Sequence, residues 1–383
     1  MSSTRTPDPR SADAGLFLDS APPARRLHYL LNYAIMAPSA HNAQPWKFKV
    51  AEHHVEFHHD QTRILPVVDP HGRESLISVA CAVESFRVAM RRFGLSDQVE
   101  WNPHATPDEP VAIVRMEGRH SPSAQELRHF DAIPNRRTNR MAFDPRPVAT
   151  SELDALRATM LEAHHDGAPT TVHLEATSDA FAKHEIADLV AQADRIQFAD
   201  EKFRTELAHW MRPNDTDKGD GLPAYAQGMS GRVWDILSHA GPFIMRTFDV
   251  GKGRAAKDRQ LAEGSPALAI IHTAADDHAA WLATGAAMMR LLLAATSLGL
   301  SASYLNQPIE VESLRPKLAE LIATRLSGRS IKNVFEQKSD QPDANQSPTI
   351  YPQILLRLGY ADYTPATPRR PLADFIMEGS EIE

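Results

Sequence analysis

At 383 residues the chain is long enough for two domains or one large double domain, and a content of 42% hydrophobic and 23% charged residues is that of a globular protein rather than a disordered or fibrous one. A formal net charge of −8 argues against nucleic acid or an anionic membrane surface as the main partner. Cys81 is the single cysteine, which excludes an internal disulfide and a cysteine-built metal site and fits a reducing, cytoplasmic compartment.

In chain order, residues 1–24 are rich in Ser, Pro, Asp and Arg and read as an arm. Gly15-Leu16-Phe17-Leu18 is too short for a signal segment, and no stretch reads as long enough to span a bilayer. Leu27, Leu30, Leu31, Ala34 and Ile35 follow a helical period, which Pro38 should stop, and Lys47–Val50 reads as a strand. Between them lies Ala37-Pro38-Ser39-Ala40-His41-Asn42-Ala43-Gln44-Pro45-Trp46, a turn dense in short hydrogen-bonding side chains. Such a turn suits the edge of a flat heterocycle, where donors and acceptors alternate.

Further on, an alanine-rich helix over Val79–Phe93 closes on Gly94-Leu95, and a strand is expected over Pro110–Met116. The same layout returns as Thr284–Leu298, Gly299-Leu300 and Pro352–Leu358. Helix then strand, in the same order twice, points to an internal duplication. The expected boundary lies near residues 118–131, where Gly118–Ser123 is turn-rich. We therefore expect an arm at 1–24, a first half at 25–125 and a second half at 126–383. In the second half, helices are expected over Ser151–Ala163 and Asp179–Met211, and Asp215–Pro223 is a turn cluster. Segment 212–264 reads as a long lid-like insertion, with exposed aromatics at Trp210, Tyr225 and Trp234. Lys338–Thr349 is polar and structureless by composition.

Ile133-Pro134-Asn135-Arg136-Arg137-Thr138-Asn139-Arg140-Met141-Ala142-Phe143 concentrates three arginines and two small polar side chains in five residues. Arginine forks match phosphate oxygens, and a threonine adds a neutral donor. Taken with the Ala37–Trp46 turn, this pair of motifs resembles the nitroreductase superfamily, and the whole chain looks most like the Acg-type FMN-binding proteins. The resemblance implies an α+β fold, duplicated within one chain as an intramolecular pseudo-dimer. It also implies FMN as cofactor, NAD(P)H as a transient substrate, a small-molecule electron acceptor and no protein nucleophile. Residue by residue, it puts Pro38, Ser39 and Asn42 against the flavin ring and ribityl chain, with Gln44 fixing the turn. Arg136, Arg137, Thr138 and Arg140 fall at the phosphate, joined by the terminal pair Arg369 and Arg370. Asn306 and Gln307 fall at the reactive edge of the ring, where family members often have a Glu-Gly pair that is absent here.

In the family, each site takes its arginine segment from one subunit and its turn from the other. Here each motif occurs once, in opposite halves, so one FMN per chain is expected. Chain-to-chain assembly beyond the pseudo-dimer is left open. The alternative to an FMN-dependent oxidoreductase working by ping-pong exchange is an FMN-sequestering protein whose lid stays closed. Other signals carry less. The pairs His53-His54, His58-His59 and His164-His165 cannot chelate one ion from a strand, so no metal is expected. Gly251-Lys252-Gly253-Arg254 lacks phosphate-loop spacing, and His41 reads as a packing or surface residue.

Overall fold

The computed structural model describes residues 21–165, 170–228, 238–326 and 349–382. Most of the expected N-terminal arm, Trp234 and residues 338–348 of the polar stretch lie outside them. Helix α1 (Pro23–Ala34) has prolines at its start, where no backbone N–H is needed, and buries Leu27, Leu30, Leu31 and Ala34 on one face. After the Ala37–Trp46 turn come β1 (Trp46–Val50) and β2 (His54–His59), then helix α2 (Arg73–Arg92), β3 (Leu95–Trp101) and β4 (Ala112–Arg119). These strands form an antiparallel sheet in the order β1-β2-β4-β3. The expected boundary is more ordered than its turn-rich sequence suggested. Gly118 lies inside β4, paired with Ser96, and α3 (Ala124–Ala132) begins at once with a capping box between Ser123 and Glu126.

Beyond α4 (Thr150–His165) a second sheet is built from β5 (His173–Thr177), β8 (Ala267–Thr273), β9 (Ser301–Tyr304) and β10 (Tyr351–Gly359), in the order β5-β8-β10-β9. Helix α9 (His278–Ser297) precedes β9 as α2 precedes β3, and Gly94 and Gly299 take left-handed φ values of 74° and 76° just after the two helices. Both sheets place their strands in the order first, second, fourth, third along the chain. Two small strands, β6 (Met211–Arg212) and β7 (Leu222–Pro223), pair in parallel away from both sheets.

Helices α2 and α9 lie between the sheets in one continuous core. They approach closely because Gly285 has no side chain: a Cβ there would strike the Ile77 carbonyl oxygen and lie 2.6 Å from the Ala80 Cβ. Cys81 donates its thiol hydrogen to the Gly285 carbonyl at 3.2 Å, and burial raises its pKa, so it acts as a packing residue. Across the same crossing, buried Arg290 of α9 donates to Glu84 of α2 at 2.8 Å. By length and composition α9 could cross a bilayer, contrary to the expectation from sequence; here it is the buried core helix. Its apolar character on all sides follows from having protein on all sides.

The second sheet is covered on both faces. Ala267, Ala269 and Ile271 of β8 face the main core, and Leu268 and Ile270 face a smaller one beneath helix α5 (Ala180–Ala199). The helical run expected over Asp179–Met211 is two helices, because Asp200 is extended and its side chain caps α6 (Glu201–Trp210). Segment 212–264 is likewise not a loop among its described residues. It holds β7, a 3-10 turn at Ala224–Gln227, α7 (Gly241–Thr247) and α8 (Gly251–Glu263), the last packed along α5. Trp210 is buried and Tyr225 half-buried, where exposed aromatics were expected. The chain finally returns to the first sheet. Met377 and Glu381 donate backbone hydrogen bonds of 2.8 Å to Phe48 and Val50 along the open edge of β1.

Candidate functional site

The turn after α1 is strained. His41, Asn42 and Gln44 take φ values of 50°, 56° and 56°, a region that suits glycine, is tolerated by asparagine and histidine, and disfavours glutamine. Its hydrogen bonds show how it is held. The Ser39 hydroxyl accepts from the Gln44 backbone at 2.9 Å. The Asn42 amide donates to the Gly221 and Pro368 carbonyls, both at 3.1 Å, and its oxygen accepts from Arg369 at 2.9 Å. Gln44, fully buried, donates to Gly219 at 2.8 Å and accepts from the Arg370 backbone at 3.2 Å. Asn42 and Gln44 thus tie together the turn, the Gly219–Gly221 strap and the C-terminal tail. A side chain at Gly219 would lie 2.7 Å from the Arg370 backbone, so the strap sits directly on the tail. Asp220 locks it further through Arg212 at 2.8 Å and Arg63.

The arginine segment leaves α3 and runs along the edge of the second sheet. Thr138 bridges to Ala302 of β9, and Asn139 donates to the Ala302 and Asp362 carbonyls at 3.0 and 2.8 Å. Buried Arg357 of β10 caps Asn139 and Met141 from below. This pinning brings Thr138 and Arg140 opposite Pro38 and Ser39, although about a hundred residues separate the two motifs.

Between the motifs lies a cavity of about 710 Å³. Pro38, Ser39, Thr138, Arg140, Asn306 and Gln307 contribute to its lining, with apolar walls from Ile77, Met288, Phe198, Phe203 and Met245. A narrower polar crevice adjoins it through Pro38, Ser39, Thr138, Arg140 and Leu222; it adds Asn42, Arg136, Arg137 and Arg369. Gln44 and Arg370 line neither. Arg370 packs 4.6 Å from the Phe375 ring and pairs with Asp374. Arg369 donates to the Ile35, Met36 and Ala37 carbonyls just past α1, where the helix dipole favours a cation. Asn306 bridges Glu74 and the Leu355 backbone, both at 3.0 Å.

Burial, with Arg254 nearby, lowers the Arg140 guanidinium to about 10; it donates to the Ala226 carbonyl at 2.8 Å. Among the described residues no carboxylate pairs with it. Burial and the charge of Arg140 take His41 down to about 4, so its imidazole is neutral near pH 7. Four lining side chains hold a buried polar atom without a hydrogen-bond partner among the described residues: His41 Nε2, Asp194 Oδ2, Tyr304 Oη and Gln307 Oε1. Buried polar atoms are normally satisfied, so four around one cavity mark it as built for a polar ligand. Of these, the sequence expectation contained only Gln307. Asp194 is hidden in the alanine-rich pattern of α5, Tyr304 reads as an ordinary strand residue, and His41 read as packing. Among the described residues no group of three His, Cys, Asp or Glu is placed to hold a metal ion.

The sequence model of the Nitroreductase family matches residues 16–69 and 133–325. The chain belongs to this family of enzymes. The match takes in both the turn and the arginine segment. This nitroreductase-family chain is 27% identical over 366 residues, 94% of each chain, to a protein of Mycobacterium tuberculosis named "Putative NAD(P)H nitroreductase Rv3131". It is 26% identical over 345 residues to "Putative NAD(P)H nitroreductase acg" of the same organism, covering 88% of this chain and 91% of that one, which puts it with the Acg-type members. Among solved structures it is similar to the FMN-dependent nitroreductase NfnB of Mycobacterium smegmatis in complex with NADPH, at 18% identity and a TM-score of 0.35, covering 65% of this chain and 96% of that one.

Proposed function

We propose that this nitroreductase-family enzyme binds one FMN per chain in the cavity between the turn and the arginine segment. There it passes reducing equivalents from NAD(P)H to a small electrophilic acceptor, a nitro compound or a quinone, in two alternating half-reactions. Family membership supports FMN and NAD(P)H; the single observation that supports the site is the cavity itself. Its volume lies within the range of cofactor pockets, Arg140 and four polar atoms without a partner among the described residues line its wall, and Arg136 and Arg137 line the adjoining crevice. The residues present fit FMN. Arg136, Arg137, Thr138 and Arg140 would take the phosphate, whose nearly two negative charges need such partners once buried. Pro38, Ser39, His41 and Tyr304 would meet the ring and its side chain, against the apolar wall of Ile77 and Met288. Gln44, Asn42 and Arg369 would act one step back, holding the turn and tail in place, and Arg370 would take no part. Bound FMN supplies the hydride-transfer chemistry; the protein binds it, orients it and excludes water.

The same reading takes the two sheets as two nitroreductase-like halves fused in one chain. The like order of their strands supports it, as does the tail that crosses back to β1. A mirror-image second site would lack both motifs, hence one FMN and not two. The sequestering alternative draws less support, because the cavity keeps its volume with α6, α7 and α8 packed around it. The test is direct. Purified protein should carry one FMN per chain and bleach promptly when NADH or NADPH is added without oxygen. Two flavins per chain would overturn the fused-half reading. A yellow protein that neither nicotinamide bleaches would overturn the enzyme reading.

A further inference from the structure

Asp194 lies in the wall of the cavity and is 1% exposed. Its Oδ1 accepts from the Gln307 amide at 3.3 Å, and the same amide nitrogen donates to Oδ2 of Asp258 at 3.1 Å. Two carboxyl oxygens both require an N–H, which fixes the amide this way round and leaves Gln307 Oε1 without a donor. Arg254 donates to Asp258 at 2.8 Å. One amide therefore joins two buried acids, of which only Asp258 has an ion-pair partner among the described residues. Burying a carboxylate oxygen with no donor costs far more than burying the neutral carboxylic acid. The arrangement costs least when Asp258 is ionised and Asp194 carries a proton on Oδ2, the oxygen without a partner among the described residues.

We propose that Asp194 supplies the proton taken up by the electron acceptor when it is reduced in this cavity, with Gln307 and Asp258 positioning it and Arg254 holding Asp258 ionised. This rests on the oxidoreductase reading above. The balance requires such a donor. A quinone that receives a hydride, with its two electrons, needs one proton to become the hydroquinone. A nitro group that receives a hydride and one proton yields a nitroso group and water. The Asp194 O–H bond breaks, the acceptor oxygen gains the proton, and the carboxylate left behind is recharged from water. Burial and the charge of Asp258 raise Asp194 to about 7, so both forms are accessible near neutral pH. Arg254, across on α8, and Arg195, on its own helix, pull the other way. Lys257 of α8 and Glu310 of α10 (Gln307–Glu310) line the same cavity, and burial raises Glu310 well above the ordinary carboxyl range.

The test uses the full-length holoprotein and a soluble benzoquinone, with the two half-reactions followed separately. Asp194→Asn keeps the shape and the bond from Gln307 but has no transferable acid. In the wild type, reoxidation by the quinone should slow as pH rises through about 7. The Asn variant should lose that limb and reoxidise at least about tenfold more slowly at pH 6, a larger loss than in the nicotinamide half-reaction. Asp258→Asn removes the neighbouring charge and should move the limb to lower pH. Melting, which needs no turnover, reads the proton directly. The folded state holds it more tightly than the unfolded, so wild-type stability relative to Asp194→Asn should fall as pH rises from about 4 to about 7. An unchanged limb in Asp194→Asn, equal losses in both half-reactions, or a flat melting difference would each overturn the proposal. Protein that binds no FMN would instead refute the preceding reading, and the melting comparison would still report on Asp194.

Discussion

Replacing Asn42 with alanine separates a ligand contact from a structural clamp. The side chain makes two neutral hydrogen bonds, to the Gly221 and Pro368 carbonyls, and one with the Arg369 guanidinium. Neutral bonds contribute about 1 kcal/mol each and a charged one about 1.5–3 kcal/mol, a sum of about 3.5–5 kcal/mol. Part of this is recovered, because Arg369 keeps its bonds to Ile35, Met36 and Ala37 and the loosened carbonyls can take up water. Alanine is also worse than asparagine at a φ of 56°. The net loss should be about 2–4 kcal/mol, and it should appear without any ligand. Urea unfolding of flavin-free wild type and variant measures it. Limited proteolysis should then cut the variant near residues 219–221 and 365–370. If flavin-free stability is unchanged while FMN binding weakens, the clamp reasoning is wrong and Asn42 acts on the cofactor alone.

Arg140→Ala should behave in the opposite way: FMN affinity should fall about 10- to 100-fold, one charge-assisted hydrogen bond's worth, with only a small change in flavin-free stability. Fluorescence titration of FMN checks it, and an unaltered affinity would remove Arg140 from the phosphate site. A third prediction concerns pH. Burial acts to raise Asp276, but hydrogen bonds from Arg315, Trp281 and Gln353, with the charge of Arg315, outweigh it and bring the group to about 2. Its folded value is depressed, so the stabilisation is present above the ordinary carboxyl range near pH 4 and disappears as pH falls through about 2. Solvent at this partly exposed pair trims the effect to about 1 kcal/mol. Asp276→Asn should lose that much at pH 7 and progressively less as pH falls from about 4 through about 2, by chemical denaturation.

How much of this was legible beforehand depended on range. The Ala37–Trp46 turn and the Gly94 and Gly299 caps were readable because glycine, proline and asparagine act on their own backbone. The helices and strands on either side of Gly94 and Gly299 were readable because hydrophobic period marks each element. What Asn42 and Gln44 bind was not, since their partners lie at 219–221 and 368–370 and no local pattern reports a contact across hundreds of residues. Arg370 was expected beside Arg369, but neighbouring side chains on an extended tail point apart, and one faces α1 while the other faces Phe375. Segment 212–264 looked like a loop because α8 opens with Gly251-Lys252-Gly253 and has only a weak apolar stripe. Packing along α5 makes it a helix where propensity alone would not. Asp194 was invisible for the converse reason: an acid on an alanine-rich helix reads as its solvent side until the fold turns that side inward.

The crossing of α2 and α9 at Gly285, closed by the Glu84–Arg290 pair, lies within one covalent molecule. Two separate subunits meeting at such a crossing would come apart on dilution, and any pocket between them would vanish below their dissociation constant. Here tethering keeps the facing surfaces together at any concentration, so ligand affinity should be the same at nanomolar as at micromolar protein. It also frees the gene from symmetry. In a homodimer every codon change is expressed twice, on both sides of the axis. In this chain α5 can carry an acid toward the cavity without any second copy of that change elsewhere, so each wall can be altered by selection on its own.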